Sequence, residues 1–337
     1  MRLTGRARPV VKLTMMILPT VDRRWALARQ MGVTEAIAKL APELTGKPAP
    51  YDYDALRSEV DRYAEAGFRI GGLEGDQFDM RRIKLGLPGR DEDIEHYKRM
   101  LQNMGRCGID LLCYNFMPLG WLRNRVNIEE RGGALVTGYR HDPDDVGDGT
   151  VVPAEKIWEN YEYFLRRVIP AAEDAEVRMG LHPDDPPAPV VRGIGRIFIN
   201  AEASQRALDL VDSPSNMLTF CQGSYRTMGE DVTSLIHRFG AQKKIAFVHI
   251  RDVKGTWDDF VETFPETGTT DMAAAFAAYK AIGFDGYMRP DHAPTMAGSD
   301  AEGAFSGGTG SGYEAEGMIY TVGYIKGLMQ ATGMRWQ

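Results

Sequence analysis

What most limits the fold of this chain is an alternation. Apolar runs of strand length are each followed by a segment of helical period, eight times over. The runs at 10–18, 68–74, 109–116, 177–182, 216–221, 244–250 and 284–290 read as strands, with a weaker one inside 32–40. Segments 21–30, 54–66, 91–106, 154–174, 201–211, 230–239 and 271–282 read as helices, and a terminal helix over about 313–331 closes the set. Within 54–66, Leu56, Val60 and Tyr63 recur at helical spacing and Gly67 ends the pattern. Eight β-then-α units predict the α/β class: a (β/α)8 TIM barrel, one domain over 1–337 with loop insertions and a C-terminal closing helix. A doubly wound sheet is the competing architecture, but no Gly-rich phosphate turn follows the first strand and the chain shows no two topological halves.

A chain of 337 residues with 43% apolar content can build the large core that such a barrel needs. The net charge of −7 argues against a nucleic-acid partner, which selects for a basic face. No apolar stretch approaches the ~20 residues of a membrane span. Cys107, Cys113 and Cys221 are odd in number and form no CxxC pair, which fits a reducing, cytoplasmic setting. Arg2, Arg6 and Arg8 ahead of VVKLTMMIL resemble the start of a signal peptide. Lys12 interrupts the apolar run and Pro19 ends it without a small-residue cleavage site, so a first barrel strand is the expectation.

Four segments then concentrate the chemistry: LHPDDPP (181–187), TFCQGS (219–224), FVHIRD (247–252) and RPDH (289–292). Each places a metal-competent side chain at the C-terminal end of one of strands five to eight: His182, Cys221, His249 and Asp291. In a parallel barrel those ends converge on the face where active sites are built. Taken singly, each residue is as well explained by packing or local hydrogen bonding. With six His in the whole chain, the joint placement is not. Two imidazoles, a thiolate and a carboxylate suit Fe²⁺, Mn²⁺ or Zn²⁺ rather than the oxygen-seeking Ca²⁺ and Mg²⁺. Asp184, Asp185, Ser224, Arg251, Asp252 and His292 add polar groups beside the set. His96, His141 and His237 lie on helices or in a loop and receive no role.

Together with GIGRIF, LDLVDSPSNMLTFCQGS, FVHIRDVKG and CYNFMP (113–118), these segments resemble the mannonate dehydratase family of the UxuA type. The resemblance runs from about residue 10 to the end and is densest over 177–292. It implies a xylose-isomerase-like barrel that dehydrates D-mannonate to 2-keto-3-deoxy-D-gluconate in hexuronate catabolism. It also implies one Mn²⁺ or Fe²⁺ on His182, Cys221, His249 and Asp291, a small sugar acid as substrate, and a homo-oligomer. The family's acid/base pair maps to His292 and to Tyr313, the tyrosine just before the last helix; which takes the proton and which gives it stays open. Arg251 is a candidate clamp for the substrate carboxylate, since its fork matches that group; the alternative is a surface ion pair with Asp252 or a helix residue. Asn115 is a candidate for a substrate hydroxyl, with a turn role as its alternative.

Three loops depart from the family: LGWLRNR after CYNFMP, FVETFPETG with Pro265 where a His is common, and Ala293 after RPDH. They would alter substrate choice more than the metal set. The long stretch from Pro118 to about 152 reads as an irregular insertion, and Gly/Ser-rich 297–312 as a surface loop or a lid over the barrel mouth. A sugar isomerase or epimerase on the same barrel, and a barrel that only binds a sugar acid, are the competing functions.

Overall fold

In the computed structural model, which describes residues 9–299 and 312–337, eight parallel strands close on themselves. They are β1 (Val10–Met16), β2 (Glu35–Ala38), β3 (Arg69–Glu74), β4 (Leu111–Tyr114), β5 (Arg178–Leu181), β6 (Asn216–Cys221), β7 (Ile245–Ile250) and β8 (Tyr287–Pro290). Neighbours in sequence are neighbours in the sheet, and β8 returns to β1 through Lys12↔Tyr287 and Leu13↔Met288. The apolar run at the N-terminus is therefore a barrel strand. The (β/α)8 architecture expected from the alternation is the one observed, and a short strand at Arg335–Trp336 pairs in parallel with the start of β1.

Local chemistry accounts for most of these elements. Every residue of β6 and β7 is buried, as expected for parallel strands covered on both faces. Asp22, Asp52, Asn200, Asp231 and Asp271 each accept a backbone N–H in the first turn of the helix they precede, so five helix starts among the described residues are capped by side chains. The helix Arg90–Arg106 buries Ile94, Tyr97, Leu101 and Met104 along one stripe and carries Asp91, Glu92 and Asp93 in its first turn, where the helix dipole favours negative charge. Among the described residues, no helix is long and apolar enough to cross a membrane.

The structure corrects the irregular insertion. Arg125–Glu129 and Leu135–Arg140 form a hairpin whose second strand pairs with Asp259–Glu262, which in turn pairs with Val253–Thr256. This four-stranded antiparallel sheet lies beyond the strand ends and has its own small core of Tyr139, Ala188, Val191, Val253 and Phe260. Its strands escaped the pattern because Arg125–Glu129 is largely exposed and polar, and because the pairing joins segments over a hundred residues apart. Residues 300–311, most of the segment read as a lid, lie outside the described residues.

Candidate metal centre and active site

The ends of β5 to β8 bring His182, Cys221, His249 and Asp291 together: one donor atom from each lies within 4.8 Å of the others. Register does much of this, since Cys221 sits directly beside His249, and His249 beside Arg289, in the parallel ladder. His182 donates from Nδ1 to the Pro183 carbonyl at 2.7 Å, which leaves Nε2 with the lone pair. Burial alone would raise the Cys221 thiol, but Arg251 and His182 hold it well below the usual range, which favours the thiolate. Burial likewise opposes ionisation of Asp291, and Arg289, His292 and His249 override it, keeping the carboxylate charged.

His249 is the telling member. Both its ring nitrogens are buried without a hydrogen-bond partner; Glu74 Oε2 and Asp291 Oδ2 stand 3.6 Å away. Buried polar atoms are rarely left so, because each costs ~1–3 kcal/mol. Burial and Arg289 favour neutral imidazole, yet Glu74 and Asp291 pull the His249 pKa well above its ordinary value. That is the sign of a site short of positive charge. Counting the charges agrees: four carboxylates (Glu74, Asp185, Glu262, Asp291) and the Cys221 thiolate face three guanidinium groups (Arg123, Arg251, Arg289). With the imidazoles neutral, as metal ligation would require, two negative charges are left over, the amount one divalent cation neutralises. The donor set fits a metal ion.

A cavity of about 110 Å³ opens above these residues, lined by His182, His249, Asp291, His292, Tyr313, Asn115 and Trp121 among others. Tyr313 donates its hydroxyl to Asp291 Oδ1 at 2.6 Å; burial first, and then the Asp291 charge, raise the phenol well above its usual pKa. Asn115 accepts at Oδ1 from Lys84 Nζ (2.9 Å) and the Met117 N–H (3.0 Å), so its amide nitrogen is what remains to offer a ligand.

Arg251 does not fit the role of substrate clamp. It is fully buried, and its donors are spent inside the protein: on Cys221 Sγ (3.2 Å) and Asp291 Oδ2 (2.9 Å), on Glu262 (2.9 Å), and on Asp185 Oδ2 (2.7 Å) and Ser224 Oγ (2.9 Å). Gly223 allows this approach, because a Cβ there would stand 2.8 Å from the guanidinium. The surface pair with Asp252 fails as well; Asp252 instead accepts from the Thr270 backbone and hydroxyl. Asp184 also turns away, towards the backbone N–H groups of Ile197 and Phe198.

Several residues of the site went unread in the sequence. Glu74 ends β3 as the proposed donors end their strands, and it grips Arg289 with both oxygens; the same strand-end rule would have found it. Glu262, Arg123 and Trp121 carried no signal, since the sheet that delivers Glu262 was itself invisible.

A profile of the D-mannonate dehydratase (UxuA) family matches residues 24–151 and 149–336. The mannonate dehydratase of Thermotoga maritima is 34% identical over 288 residues, covering 74% of this chain and 78% of that protein. Mannonate dehydratase 1 of Bacillus licheniformis is 37% identical over 273 residues, covering 69% and 74%. The crystal structure of mannonate dehydratase from Streptococcus suis superposes with a TM-score of 0.84 at 28% identity, covering 97% of this chain and 96% of that one. A D-allulose 3-epimerase from Methylomonas shares the barrel alone, with a TM-score of 0.60 at 14% identity over 95% of this chain and 98% of that one.

Proposed function

This chain belongs to the D-mannonate dehydratase (UxuA) family, and from that premise we propose how its side chains divide the work. The reaction is removal of water from D-mannonate to give 2-keto-3-deoxy-D-gluconate, and the chain is a hydro-lyase of a metal-dependent family acting on a small sugar acid. His182, Cys221, His249 and Asp291 hold one Mn²⁺ or Fe²⁺. The observation that carries this is His249, whose two unpartnered nitrogens sit in a donor cluster lacking two positive charges.

The hydrogen at C2 of an aldonate is alpha to a carboxylate and very weakly acidic. A divalent cation held by those four residues would supply positive charge against the bound acid, which would lower the cost of removing that proton. Tyr313, whose hydroxyl stands in the cavity wall and bonds Asp291 Oδ1, is placed to give a proton to the departing C3 hydroxyl. His292 Nε2 accepts a hydrogen bond and so carries a lone pair, which suits it to take the C2 proton. Asn115 offers its amide N–H to a substrate oxygen. We place the enzyme in the cytoplasm as a homo-oligomer, which sedimentation of the purified protein tests.

The test is turnover of a panel of aldonic acids by the metal-supplemented protein, read by mass and by thiobarbiturate detection of 2-keto-3-deoxy acids. Loss of one water from D-mannonate is the expected result. A product of unchanged mass identifies an isomerase or epimerase instead, and no conversion of any panel member overturns the assignment.

A further inference from the structure

Both ring nitrogens of His292 are engaged, and by side chains that no barrel strand carries. The indole N–H of Trp121, on the loop leading into the accessory sheet, reaches Nε2 at 2.8 Å. Glu262 Oε1, at the end of the sheet strand Asp259–Glu262, lies 3.1 Å from Nδ1. An indole N–H can only donate, so Nε2 must accept; the ring proton is then on Nδ1, donated to Glu262. The carboxylate is itself immobilised. Arg123 and Arg251 both bond it, and both also bond Asp185, in a quartet without exposed charge. Trp121 differs: it is 41% exposed and forms part of a cavity wall. That cavity, at about 110 Å³, is smaller than the ~300–1,000 Å³ usual for small-molecule sites. Admitting a six-carbon acid requires something to yield, and of the two groups on His292 only the indole can.

We propose that Glu262 is a positioning residue for the dehydration, holding His292 with Nε2 aimed into the cavity, and that Trp121 occupies Nε2 until the entering sugar acid displaces it. This rests on His292 being the proton-transfer group, and it gives the accessory sheet a purpose. The sheet delivers the carboxylate that sets one histidine's tautomer and orientation, and its leading loop carries the placeholder on the opposite side.

Glu262→Gln in the metal-loaded enzyme lowers kcat roughly ten- to a hundredfold, the range for partners that orient an active-site group. KM and metal content stay within about twofold, and Glu262→Asp recovers part of the rate. An unchanged kcat, or a loss that tracks metal content and unfolding temperature, overturns the proposal. A second readout needs no turnover and so separates this proposal from the substrate assignment. ¹⁵N NMR of the wild type loaded with diamagnetic Zn²⁺, with the His292 signals assigned by a His292→Asn variant, shows the proton on Nδ1. A proton on Nε2 overturns the proposal. Trp121→Phe keeps a ring in place without the N–H, and it lowers KM; an unchanged or raised KM overturns the displacement of the indole.

Discussion

The rim of the barrel and the quartet beneath the accessory sheet are built from the same residue types and end in opposite states. At the rim, Cys221, His249 and Asp291 converge with an excess of negative charge and two unpartnered imidazole nitrogens. A few ångströms behind, Arg123, Asp185, Arg251 and Glu262 are just as buried, yet their charges balance and their hydrogen bonds interlock. Arg251 belongs to both, since its Nε reaches the Cys221 sulfur. The contrast between them marks the place of a ligand. Unsatisfied burial is costly and marks the place for a missing partner, whereas satisfied burial is scaffold. Read this way, Arg251 moves from the substrate's side of the cavity to the scaffold's.

Cys221→Ala is expected to abolish turnover and to leave gel-filtered protein with far less than one metal ion per chain by elemental analysis. Full metal retention makes the thiol mere packing and erases the distinction. The next largest effect belongs to His292→Ala, expected to cost roughly 10²- to 10⁴-fold in kcat, the usual share of a general acid or base, while the metal stays bound. Loss of metal in that variant would assign His292 to the donor set instead.

Removing scaffold reads out differently. Arg251→Met leaves three buried carboxylates and a thiolate without their shared cation, and denaturant unfolding is expected to register a loss of about 3–5 kcal/mol. Unchanged stability would mean the guanidinium is free to serve substrate after all. The smallest effect is a slope. Burial opposes ionisation of Glu262, but Arg251 and Arg123 depress its pKa to about 2 from the usual 4.5. Its contribution to stability is therefore full above about pH 4.5 and is lost as pH falls through about 2. Between those values the wild type should lose stability with acidification more steeply than Glu262→Gln, measured by urea unfolding at each pH. Parallel slopes would show that Glu262 is not held as a charged member of the quartet.

Much of the rim was legible because parallel barrel strands announce themselves as apolar runs, and the C-terminal ends of β5 to β8 fall within one residue of those read from the sequence. His182, Cys221, His249 and Asp291 each stand at such an end, so a rule of position sufficed to bring them together. Tyr313 and His292 were found through family motifs, and both line the cavity. Glu74 obeyed the positional rule and was passed over because it is a common residue after a common strand. Arg251 was misjudged for a physical reason: a guanidinium fork fits a substrate carboxylate and a protein carboxylate equally well, and its spacing from His249 does not say which one it meets.

The closed eightfold barrel, the face that carries chemistry and the donor types presented there follow from hydrophobic period and strand order, and so could be read from the chain alone. Three-dimensional packing set the rest: two polar hairpins join into a second sheet, this sheet sends Glu262 to His292, and Arg123 and Arg251 are consumed in holding it. Those contacts join residues far apart in the chain through charge and hydrogen bonding, which leave no periodic trace in a sequence.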